Sequence, residues 1–120
     1  MKIIIDESTP QNLRLLIRGD HSIVTTWYQG WSGLKNGALL DAIDQAGFDL
    51  MISSDQELKY QQNLAKRTFS LIVLSTNDWS LIKMHVDLIN AAIDTLTARS
   101  YKWIEIPEDL FPGGSSSPSD

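Results

Sequence analysis

The chain opens on Lys2-Ile3-Ile4-Ile5, three consecutive β-branched residues that run straight into Asp6-Glu7. Such a run reads as a strand buried on both faces, as in the interior of a parallel sheet. Thr9 and Pro10 then supply a helix N-cap and a first helical residue, and Leu13, Leu16 and Ile17 fall at helical spacing before Gly19. His21 to Thr26 reads as a second strand, followed by an aromatic and glycine loop from Trp27 to Gly33. A second helix starts at Asn36 or Gly37, carries Leu39, Leu40, Ile43 and Ala46 inward, and stops at Gly47. Leu50-Met51-Ile52 is a third strand ending in Ser53-Ser54-Asp55, and residues 56–68 are polar and irregular, with one short helical turn at most. Leu71 to Leu74 is a fourth strand ending in Ser75-Thr76-Asn77-Asp78. Ile82, Val86, Ile89, Ile93 and Leu96 alternate four and three apart, which gives one apolar stripe on a long helix from Trp79 to Thr97. Tyr101 to Ile106 alternates with period two and reads as a half-exposed edge strand, closed by Pro107.

Strands separated by helices predict right-handed crossovers and a mostly parallel sheet, with helices covering both faces. The expected fold class is therefore α/β, a three-layer α/β/α sandwich with a mostly parallel central sheet. Residues 1–106 form the domain. Residues 107–120, which include Pro112-Gly113-Gly114-Ser115-Ser116-Ser117-Pro118, read as a flexible C-terminal tail.

Composition narrows the chemistry. The chain has 120 residues, which suits one domain, and 42% of them are hydrophobic, enough for a core. The absence of cysteine excludes disulfides and thiolate metal sites and fits a cytoplasmic location. No stretch has the form of a signal peptide or the length of a membrane span, so no membrane partner is expected. A net charge of −5 argues against tight, sequence-indifferent binding to nucleic acid, though not against binding through divalent cations.

Three apolar strands each stop at an acid-bearing segment: Asp6-Glu7, Ser54-Asp55 and Thr76-Asn77-Asp78. In a parallel sheet these segments share one edge, where open α/β sheets bind their ligands. Carboxylates converging there repel one another unless a cation lies between them. Hard oxygen ligands suit Mg²⁺ or Mn²⁺, ions that activate water and steady the charge on a reacting phosphodiester. Metal ligands on this reading are Asp6, Asp55 and Asp78, with Asp6 and Asp55 catalytic. Each acid also has a plainer use. Asp78 sits where a helix N-cap belongs, Asp6 and Glu7 favour the positive end of the first helix, and Asp55 suits a turn in its loop.

Several segments together resemble the small bacterial PIN-like proteins, uncharacterised and often associated with toxin–antitoxin loci. They are Lys2 to Glu7 with Pro10, the loop Gly30-Trp31-Ser32-Gly33-Leu34-Lys35-Asn36-Gly37, Ser54-Asp55-Gln56-Glu57-Leu58 and Tyr60-Gln61-Gln62-Asn63-Leu64. The resemblance runs from Met1 to about Ile106. It implies a PIN-type sheet and a Mg²⁺ or Mn²⁺ site that cleaves RNA, with a cognate antitoxin as protein partner and a tendency to self-associate as a homodimer. By position, Asp6 matches the first-strand acid and Asp55 the acid after the third strand, and Asp78 or Asn77 lies where a further site residue comes from the fourth strand. Relatives carry an acid near the start of the second helix. Here that stretch is Asn36, Gly37 and Ala38, and Asp41 lies one turn later. The departure leaves open a catalytically degenerate PIN-like domain that acts as a nucleic-acid or protein binding module.

Glu7, Asn77, Gln61, Gln62, Asn63 and Lys35 are the expected substrate contacts, and Lys59, Lys66 and Arg67 flank them in sequence. Trp27, Tyr28 and Trp31 are read as packing over the end of the sheet in preference to stacking on bases. His21 and His85 show no metal spacing. A phospho-acceptor domain like a response regulator needs a lysine on a late strand. Lys102 comes too far along and on an alternating edge strand.

Overall fold

A computed structural model describes residues 1–60 and 66–108 of the chain. Five strands form one all-parallel sheet: β1 (Lys2–Ile5), β2 (Ser22–Thr25), β3 (Leu50–Ser53), β4 (Ser70–Leu74) and β5 (Tyr101–Ile104). Their order is β2-β1-β3-β4-β5. Among the described residues three α-helices accompany them: α1 (Asn36–Ala46), α2 (Trp79–Met84) and α3 (Val86–Asp94). The protein is thus α/β, and β5 is an edge strand as its alternation predicts. No helix among the described residues is long and apolar enough to cross a membrane.

Alternate residues of each strand face opposite ways, and each side finds its own cover. Ile3, Ile5, Leu50, Ile52, Ile72 and Leu74 pack under α2 and α3 through Leu81, Ile82, Ile89 and Ile93. Ile4, Met51, Leu71 and Val73 pack under α1 through Leu39, Leu40 and Ile43, with Phe48 and Phe69. All three isoleucines of β1 are fully buried, worth roughly 1.5–3 kcal/mol each. Connections β2→β3 and β4→β5 advance in the same direction along the sheet but cross opposite faces. They are therefore of opposite hand, and the expectation of uniformly right-handed crossovers is not met.

Two other expectations need correction. The first helix is a single 3-10 segment, Gln11–Leu15, with Pro10 and not Thr9 at its N-cap position. The Thr9 hydroxyl is engaged elsewhere, as described below. The long helix is broken at His85, whose φ −123° and ψ 28° lie outside the helical region. The break leaves the stripe intact. Ile82, Ile89 and Ile93 still point at the sheet, with Val86 and Leu96 against them. That stripe is spent on the chain's own core. Asn90, buried on α3, ties the helix to the segment after the 3-10 turn. Its Oδ1 accepts from the Arg18 amide (2.9 Å) and its Nδ2 donates to the Leu16 carbonyl (3.2 Å). Gly47 ends α1 as expected, at φ 76° in the left-handed region.

Candidate functional site

The strand order places a reversal between β1 and β3. The chain leaves β1 for β2 on one side, then returns past β1 to β3 on the other. Ligands of open α/β sheets bind in the crevice at such a reversal, past the carboxyl ends of the strands. Ile5 is in register with Thr25 on β2 and with Ile52 on β3. The next residues, Thr26, Asp6 and Ser53, therefore stand level at this crevice.

Asp6 is only 6% exposed and is held by three hydroxyls. Its Oδ1 accepts from Ser8 Oγ (2.7 Å) and Thr9 Oγ1 (3.2 Å), and its Oδ2 from Ser53 Oγ (2.6 Å). The same hydroxyls stitch the two loops together. Ser53 Oγ accepts from the Asp55 amide (2.9 Å), Ser8 Oγ accepts from the Ser54 amide (3.1 Å), and Thr9 Oγ1 lies 3.0 Å from Ser54 Oγ. Burial pushes the Asp6 carboxyl above the usual carboxylate range. The hydroxyls pull it partly back, and the nearby Asp55 charge raises it again. The carboxylate is positioned, but no cationic side chain among the described residues forms an ion pair with it.

A cleft of about 520 Å³ opens beside Asp6, lined also by Glu7, Thr26, Lys35, Asp55 and Glu57. Both acids that the sequence reading puts first thus face one space. Asp55 keeps its turn as well, since its Oδ1 accepts from the Glu57 amide (3.0 Å). Glu7 braces the opposite wall by accepting from the Gly33 amide (3.1 Å), where φ 95° favours glycine. Lys35, exposed just ahead of α1, is the one basic residue among the described residues that lines the cleft. The donors are hard oxygens, which suit Mg²⁺ or Mn²⁺. Among the described residues no three acidic or histidine side chains are grouped to hold a metal. What fits is a hydrated ion that keeps most of its waters and takes one or two carboxylates, Asp6 and Asp55.

The remaining expected residues lie elsewhere. Asp78 caps α2, its Oδ1 accepting from the Ser80 (2.9 Å) and Leu81 (3.4 Å) amides, and neither it nor the exposed Asn77 lines the cleft. The plainer reading of Asp78 is the one realised. Gln61, Gln62 and Asn63 lie outside the described residues. Asp41 does not reach the cleft. It pairs with Arg67, which also binds Asp44 at 2.9 Å, so Arg67 is occupied by the chain's own acids. Trp31 packs edge-on against Phe48 with ring centroids 6.1 Å apart, as the packing reading expects. Trp27 and Tyr28 do not pack, and are 67% and 74% exposed.

Thr26 is the site residue that the sequence reading missed. It lines the cleft, is 1% exposed, and its Oγ1 has no hydrogen-bond partner among the described residues. Its position one residue past β2 was the available signal, hidden because Thr25-Thr26 reads as the tail of a strand. Ser53 and Thr9 were overlooked for the same reason, as strand end and helix cap. The chain matches no protein-family model, no curated protein and no solved structure.

Proposed function

We propose that the chain is a PIN-like domain, a three-layer α/β/α sandwich, and a Mg²⁺- or Mn²⁺-dependent ribonuclease. The observation that carries this is Asp6 and Asp55 lining one cleft at the reversal of strand order, with no basic side chain among the described residues paired to Asp6. Asp6 and Asp55 would hold the hydrated divalent ion, which when bound would acidify a water and neutralise charge on the phosphodiester. Three hydroxyls hold the Asp6 carboxylate in one orientation, so no reorganisation is needed when a ligand arrives. Lys35 meets a phosphate at the cleft wall, and the unpaired Thr26 hydroxyl donates to a ligand oxygen. The resemblance to toxin–antitoxin proteins supports reading the chain as a cytoplasmic, self-associating toxin paired with a cognate antitoxin.

The test is incubation of mixed RNA with the protein and Mn²⁺, beside Asp6→Asn and Asp55→Asn. Loss of a carboxylate ligand is expected to slow cleavage about a hundredfold or more. Equal cleavage by all three proteins rejects the proposal.

A second reading, a degenerate PIN-like binding module, has its own observation. Asn36, Gly37 and Ala38 carry no carboxylate, and Asp41 is committed to Arg67. Titration calorimetry with Mn²⁺ separates the two. One-site binding that Asp55→Asn abolishes counts against the degenerate domain, and no binding at all counts against the nuclease.

A further inference from the structure

Two aromatic rings stand in solvent at the carboxyl end of the edge strand β2. Trp27 and Tyr28 border a groove of about 460 Å³ together with Gln11, Arg14, Val24 and Thr25. Among the described residues no acid lines this groove, unlike the cleft that holds Asp6 and Asp55. The Arg14 guanidinium makes no ion pair among the described residues. Thr25 lines the groove and Thr26, the next residue, lines the cleft. Folding does not explain the exposure of these rings, since burying an aromatic side chain is strongly favourable. Rings left exposed beside a free arginine mark a binding surface.

We propose that this groove binds single-stranded nucleic acid. Unpaired bases stack on Trp27 and Tyr28, Arg14 meets a phosphate, and the next phosphodiester enters the Asp6–Asp55 cleft. Base faces stack on aromatic rings whatever their sequence, and the planar guanidinium suits phosphate geometry. With a chain charge of −5, phosphate neutralisation contributes little and stacking carries the affinity. A duplex hides its base faces, so the groove selects unpaired strands. The proposal rests on the reading of the cleft as a phosphodiester site, but its test reads binding without cleavage.

The full chain is titrated, in EDTA, into a fluorescently labelled single-stranded RNA of about ten nucleotides, a length within the range such grooves occupy. Anisotropy should report binding, and the same strand annealed to its complement should bind at least about tenfold more weakly. Trp27→Ala and Tyr28→Ala are each expected to weaken binding roughly 5- to 150-fold, the loss of one stacked base. Trp27→Phe should restore most of it. Both side chains are exposed, so a melting curve like that of the wild type will show that the variants fold. Alanine variants that bind like the wild type overturn the proposal and leave the groove to a protein partner. Equal affinity for duplex, or no RNA binding by the wild type, also overturns it. A wild type that binds in this way yet never cleaves with Mn²⁺ removes the nuclease reading and leaves the groove standing.

Discussion

Two groups of carboxylates lie on this small domain, and they are neutralised in opposite ways. On α1, Asp41 and Asp44 are answered by Arg67, while the Thr68 amide (2.8 Å) and hydroxyl (2.9 Å) complete the shell around Asp44. At the end of β1, Asp6 is more deeply buried yet among the described residues receives only neutral hydroxyls, with Asp55 adding repulsion. The protonation equilibria follow. Burial alone would raise Asp44, but the Thr68 and Arg67 bonds carry it below the usual carboxylate range, whereas Asp6 sits above it. The first group is complete within the chain. The second has no basic partner among the described residues.

The sharpest way to break this contrast is to delete the acids. Asp6→Ala strips three hydroxyls of a shared acceptor in a buried site, and about 2–3 kcal/mol of stability should go, read as a lower urea midpoint. No loss would show that the hydroxyls find other partners and that Asp6 is not the hub of its loops.

The next effect is one of pH. Asp6 is raised, so its contribution to stability is present below about pH 4 and is lost as pH rises through its folded-state value. Asp44 is lowered, so its contribution is present above about pH 4 and is lost as pH falls through its folded-state value. Urea midpoints across pH should flatten on the acid side for Asp44→Asn and on the other side of pH 4 for Asp6→Asn. Added Mg²⁺ should draw Asp6 down towards the usual range and leave Asp44 untouched, a comparison that carboxyl-carbon NMR can follow.

Arg67→Ala should cost less, about 0.5–1 kcal/mol, because its partner Asp41 is well exposed and water screens the pair. That loss should shrink further in high salt. Smallest of all is Thr26→Val. Its buried hydroxyl has no partner to lose among the described residues, so stability should not fall in urea. If ligand binding falls while stability holds, the hydroxyl belongs to the cleft.

Much of the architecture was legible as pattern. The β-branched run of β1, the alternation of β5 and the terminal Gly47 each follow from local chemistry acting on neighbours in sequence. The break at His85 was not legible, because an uninterrupted stripe packs equally well on a helix bent at one residue. At the site, the placement of Asp6 and Asp55 after apolar strands was readable. The hydroxyl cage was not, since serine and threonine look alike whether they cap a helix or bind a carboxylate.

Hydrophobic periodicity thus dictated that strands and helices exist and roughly where they begin, because burial of apolar side chains imposes a repeat on the chain. Which polar groups meet was decided by strand order alone. Placing β3 beside β1 sets Ser53 against Asp6 across 47 positions of sequence, and leaves Asp78 to cap its own helix. Exposure likewise came from the fold: Trp31 found Phe48 to pack on, while Trp27 and Tyr28, four and three residues earlier, turned outward past the last strand of the sheet.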